Sequence, residues 1–176
     1  MSKVAATGYK GLVMAVHPTT RGFGWVVFEA PFSPVDWGIA SARTSRNEKL
    51  LRRFERLLKR YEPDTVVLEE FEGNGTRRVD RVQRLCRSIV HLAAGRGADT
   101  PIYRRTVVQT VFASAGAVTR YEIAEVIRQQ IDAFSHRMPR KRRPWNCMDP
   151  RQSLFDAAAL ALTYFALAAP RHGSVQ

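Results

Sequence analysis

Cysteine is scarce in this chain: Cys86 and Cys147 are the only two among 176 residues, with no CxxC pair and no zinc-type spacing. That excludes a disulfide framework and a zinc knuckle, and it makes a reducing cytoplasm the expected compartment. Long apolar runs are missing as well, so no membrane-spanning helix is expected. The start, MSKVAATGYKG, holds lysine but no extended apolar stretch, and a secretory leader is not expected either. Acidic residues are the third shortage. Asp and Glu number 16 against 28 Lys and Arg, a formal net charge of +12. Lysine supplies only Lys3, Lys10, Lys49, Lys59 and Lys141, so the excess is arginine. Guanidinium is a planar fork that suits phosphate, and arginine-rich basicity points to nucleic acid.

What is present is a good core former. Apolar residues make up 45% of the chain, enough to bury a core without staples. No repeat and no low-complexity linker divides it. One domain over 1–176 is expected, with ragged ends at about 1–9 and 170–176.

Three strand-like runs open the chain: 11–17 (GLVMAVH), 22–30 (GFGWVVFEA) and 35–41 (VDWGIAS). Their short connections predict an antiparallel meander. Leu50, Leu51, Phe54, Leu57, Leu58 and Tyr61 then recur at helical spacing. The period changes again at 64–69 (DTVVLE), a β-branched strand, followed by a glycine-bearing loop over 71–76. A second helix is predicted from Arg77 to Ala94, ended by Gly95 and Gly97. A fifth strand is expected at 101–103, helical stretches from 106 and over 121–134, and a basic loop at 139–144. The last helix is predicted from Pro150 to about Ala168, with Asp149 as its cap. The fold class is α/β: three antiparallel strands, then strand–helix alternation.

Carboxylates placed at strand ends and on one helix are the simplest way to gather oxygen ligands for metal-assisted phosphoryl chemistry. Glu69 and Glu70 end the fourth strand. Asp156 stands alone in LFDAAALALTYF, where a carboxylate needs a counter-charge or a cation if it is buried. On the second helix Arg77, Arg81, Arg84 and Arg87 share a face opposite Val82, Leu85, Cys86 and Ile89, and only Asp80 interrupts it. That face is a candidate phosphate contact, with Arg140, Lys141, Arg142 and Arg143 as a second basic patch. Phe71 suits either a wedge against DNA bases or a place in the core.

The order of these features, PTTRGFGW after the first strand, VVLEE, YRRTVVQTV, and a late helix with DAAALAL, resembles the RuvC family of Holliday-junction resolvases from about Leu12 to Phe165. The resemblance implies an RNase H-like fold: a five-stranded mixed sheet flanked by helices. It also implies a metal site for DNA cleavage, branched or structured DNA as partner, and a homodimer across the second-helix region. Position by position, the family's first-strand Asp falls on His17 and its strand-four Glu on Glu69. Its helix pair falls on Ser153 and Asp156, and a basic residue near the fourth helix on Thr119, with Arg120 beside it. The family's Asp-Pro-Gly turn is His17-Pro18-Thr19 here. Imidazole ligates transition metals but is a poor partner for Mg²⁺. Two alternatives follow. One is a metal-dependent endonuclease with an altered His17–Glu69–Asp156 site, using Mg²⁺ or Mn²⁺, or Zn²⁺ through the imidazole. The other is a catalytically inactive DNA-binding or adaptor protein, as a mobile element could carry, that needs no metal. A nucleotide-binding fold of the actin and hexokinase type shares the three-strand opening, but HPTTRGFG lacks a persuasive phosphate loop.

Overall fold

A computed structural model describes residues 11–44, 46–73, 78–143 and 147–168. Strands β1 (Val13–Pro18), β2 (Gly22–Ala30) and β3 (Ser33–Ser41) form the expected antiparallel meander. Helix α1 (Arg46–Tyr61) leads to β4 (Thr65–Glu69), which pairs with β1 in parallel. Helix α2 (Asp80–Gly95) leads to the short β5 (Ile102–Tyr103), parallel to β4. Then come α3 (Arg105–Ala113), α4 (Arg120–Gln130), a 3₁₀ turn (Asp132–Arg137) and α5 (Gln152–Ala168). The sheet order is β3-β2-β1-β4-β5. Among the described residues, no helix is long and apolar enough to cross a membrane.

Strand periodicity sorts the core into two layers. Val13 and Ala15 of β1 and Val67 of β4 face α3, α4 and α5. Met14 and Val16, with Val66 and Leu68, face α1 and α2. Side chains two apart share a face, so His17 continues the Val13–Ala15 row and Glu69 the Val67 row. Both therefore reach the ends of their strands on the α5 side. The sheet's own alternation sets up the site.

Helix α5 comes unusually close to the sheet at Gly24, the residue opposite His17 in the β1–β2 ladder. A Cβ there would lie 2.2 Å from the backbone carbonyl of Ser153. The missing side chain lets the first turn of α5 rest on β2, with Asp156 one turn further along at the level of His17. Ahead of that turn, Asp149 accepts from the Arg151 N–H at 2.9 Å and the Arg140 N–H at 3.1 Å.

Three boundaries differ from expectation. Helix α2 starts at Asp80, and the predicted start at Arg77 lies outside the described residues. The stretch 121–134 is not one helix: Ile131 turns extended (φ −125°, ψ 96°) and a 3₁₀ turn follows, putting Phe134 into the core. Helix α5 begins at Gln152, and the N–H groups of its first residues, Gln152, Ser153 and Leu154, bond three residues back to the carbonyls of Asp149, Pro150 and Arg151. Helix α4 has a complete capping box: Thr119 accepts from the Glu122 N–H, and Glu122 accepts from the Thr119 N–H.

Gly24→Ala is expected to cost at least about 3 kcal/mol, since the obstacle is backbone on both sides and cannot rotate away. Gly95→Ala, which meets no atom within 4 Å, should be neutral or stabilising by up to ~1 kcal/mol at the end of α2. Urea denaturation of the two variants beside wild type checks both.

Candidate functional site

The C-terminal ends of β1 and β4 deliver His17 and Glu69, and α5 delivers Asp156. All three are buried, at 3%, 9% and 3% exposure. Imidazole stands between the acids: Nε2 lies 3.4 Å from Glu69 Oε2, and Nδ1 lies 3.8 Å from Asp156 Oδ2. The sequence-predicted trio is thus brought together.

Three arginines close around it. Arg78, two residues before α2, places Nη2 3.6 Å from Glu69 Oε1 and 3.3 Å from His17 Nε2, and its Nη1 donates to the Pro18 carbonyl at 2.6 Å. Arg120, the first residue of α4, spans both acids, 3.9 Å from Glu69 and 3.4 Å from Asp156. Arg105, the first residue of α3, lies 3.7 Å from Asp156 Oδ1. Gln152 donates to the same oxygen at 3.3 Å and to the Arg120 carbonyl at 3.2 Å, fixing one partner against the other. A cleft of about 580 Å³ opens above the cluster, lined by His17, Thr19, Glu69, Arg78, Arg105 and Arg120 among others.

Burial pushes the Glu69 carboxyl up. The imidazole of His17, then Arg78 and Arg120, overcome this and hold it at about 2. For Arg105 burial comes first too: it lowers the guanidinium's pKa, Asp156 raises it, and Arg120 lowers it again.

A divalent metal does not fit this donor set. Each carboxylate already faces two guanidinium groups within 4 Å. The remaining positions are an imidazole and Ser153, whose hydroxyl donates to the Pro150 carbonyl at 2.7 Å. Glu69 Oε2, Asp156 Oδ2 and His17 Nδ1 are buried without a hydrogen bond, so charge holds much of the cluster alongside the bonds from Gln152 and Arg78. Three guanidinium groups outnumber the two carboxylates, whereas a hard dication needs an oxygen-rich, negative cage. Among the described residues, no three His, Cys, Asp or Glu side chains are arranged to hold a metal.

The predicted basic face on α2 is divided in use. Arg77 lies outside the described residues. Arg81 is a tie within the fold, donating to the Thr20 carbonyl at 2.5 Å and to Asn47 at 3.0 Å. Arg87 pairs with Glu72, and Arg84 is exposed. Phe71 lies in the core cluster with Val82 and Leu85 at 5% exposure, the core alternative of its two readings. Arg140, Lys141, Arg142 and Arg143 are exposed, with the Lys141 ammonium 5.7 Å from the Tyr121 ring. Glu70 pairs with Arg104 at the rim. Sequence reasoning missed Arg78 and Arg105. Each is the second arginine of an Arg-Arg pair beside a helix start, and the available signal was the need of a buried Asp156 for partners.

No family model and no curated protein sequence matches the chain. Solved structures do. Thermus thermophilus RuvC is similar at TM-score 0.64 and 19% identity, over 89% of this chain and 95% of that one. Fowlpox virus resolvase in complex with substrate Holliday junction DNA is similar at 0.54 and 13%, over 88% and 99%. The yeast mitochondrial Holliday junction resolvase Ydc2 is similar at 0.59 and 13%, over 89% and 78%. The chain has the RuvC-like resolvase fold, as its sequence pattern led one to expect.

A carboxyl held low in the folded state contributes stability that is complete above the unfolded value, near 4.5, and is lost as pH falls towards about 2. Wild type should therefore be more stable than Glu69→Gln at pH 7, by an amount of the order of 3 kcal/mol. The gap should close between about pH 4.5 and pH 2, as followed by urea unfolding across that range.

Proposed function

We propose that this chain binds branched DNA on the resolvase fold and does not cut it. The observation that carries the proposal is the arginine cluster: Arg78, Arg105 and Arg120 occupy the surroundings of Glu69 and Asp156, where cleavage by the resolvase family implies metal ions. The excess of 28 basic over 16 acidic residues supports a polyanionic partner. So does the shared fold, which fowlpox virus resolvase presents to junction DNA. Exposed Arg84 and the Arg140–Arg143 segment are the candidate outer phosphate contacts. Two copies associating across α2 belong to the same proposal, since a four-way junction is itself two-fold symmetric and a closed dimer matches it.

Fluorescence anisotropy should give tighter binding to a four-way junction than to duplex or single strands of the same sequence. Replacing Arg84 and Arg140–Arg143 with alanine should reduce the salt slope by about one unit for each phosphate that the protein no longer neutralises. The junction should remain intact with Mg²⁺ or Mn²⁺. Cleavage that Mn²⁺ supports in wild type and His17→Ala abolishes would replace this reading with that of an altered nuclease.

A further inference from the structure

We infer that the inner end of the cleft is a seat for one DNA phosphodiester, gripped by Arg78, Arg105 and Arg120, an assignment that rests on the DNA-binding function proposed above. The charge balance favours it. The cluster's three guanidinium groups outnumber the two carboxylates, so an anion offsets the excess and a dication would add to it.

The backbone points the same way. Arg78 lies two residues before α2, Arg105 opens α3 and Arg120 opens α4, so the positive ends of three helices converge on one cleft. Neither Val79, at the N-cap of α2, nor Arg104, at that of α3, provides a side-chain cap. First-turn N–H groups at such ends suit a phosphate oxygen. Arg105 supplies the independent sign of a missing anion: its Nη2 is buried at the wall of the cleft without a hydrogen-bond acceptor. A buried donor without a partner is destabilising, and an arriving anion with local adjustment of the guanidinium would satisfy it. Burial and Arg120 both disfavour the Arg105 charge, and an anion beside it would offset them. Thr19 and Thr20 line the same cleft, held by hydrogen bonds from the Gly22 N–H and from Arg81.

A four-way junction carrying one neutral methylphosphonate at a time around the crossover tests this with unaltered protein. One position is expected to weaken binding about tenfold, the size of effect that removing one charge-assisted hydrogen bond produces, while the others change it less than about twofold. The double variant Arg105→Gln, Arg120→Gln should lose that position-specific difference yet still prefer junction to duplex. Because the variant risks misfolding, wild-type melting is followed as well. Dimethyl phosphate should raise Tm by about 2 °C or more, and MgCl₂ at matched ionic strength should not. Uniform methylphosphonate effects with junction preference intact would overturn the seat and leave the DNA-binding proposal standing. So would stabilisation by inorganic phosphate with no sensitive linkage, which would assign the cleft to free phosphate. Absence of any junction preference would remove both. Stabilisation by Mg²⁺ and not by dimethyl phosphate would overturn the seat in favour of a cation site.

Discussion

Two carboxylates buried in an otherwise apolar interior cannot stand without compensation, and the whole upper end of this molecule is arranged around that constraint. Glu69 and Asp156 are each nine-tenths buried or more. Isolated ionised carboxylates at such positions are strongly disfavoured. Compensation arrives from the loop before α2 and from the first residues of α3 and α4, each fastened by its arginine to the same cluster. The cluster thus does for the helix layer what the β1 ladder does for the sheet: it sets where the elements begin.

The sheet-side geometry makes this possible. Period-two alternation puts His17 and Glu69 on the α5 side, and the bare backbone of Gly24 lets α5 come down far enough for Asp156 to join them. A larger residue at Gly24 would lift the first turn of α5 away from β2. Site chemistry and helix docking are therefore coupled through one residue that carries no functional group.

Much of this was legible in the sequence, and the failures have a common cause. The strands and the α1 face follow from local apolar periods, which a linear reading detects. Asp156 stood out because a lone acid breaks an apolar pattern, and Glu69 because, with Glu70, it ends a strand. Arg78 and Arg105 break no pattern. Their meaning lies in partners far along the chain, such as the Arg78–His17 contact across 61 positions. Conversely, Arg81 and Arg87 formed a regular face, yet the structure uses them for the Thr20 carbonyl and for Glu72. Helical spacing reports which residues are neighbours on one helix. It does not report which of them the rest of the fold will claim. The break at Ile131 is of the same kind: 121–134 is continuous in pattern, and the burial of Phe134 beside Trp37 and Phe155 interrupts it.

The balance of charge in the cluster also governs how readily the site can change over generations. Removing one arginine leaves a buried carboxylate short of a counter-charge, and breaking such a pair costs roughly 3–5 kcal/mol. That is a large share of the ~5–15 kcal/mol that holds a domain folded. Putting an acid at position 17 while the arginines remain adds another ion that has to be desolvated. The route between an arginine-filled site and a metal-filled one therefore runs through intermediates poorer than either end.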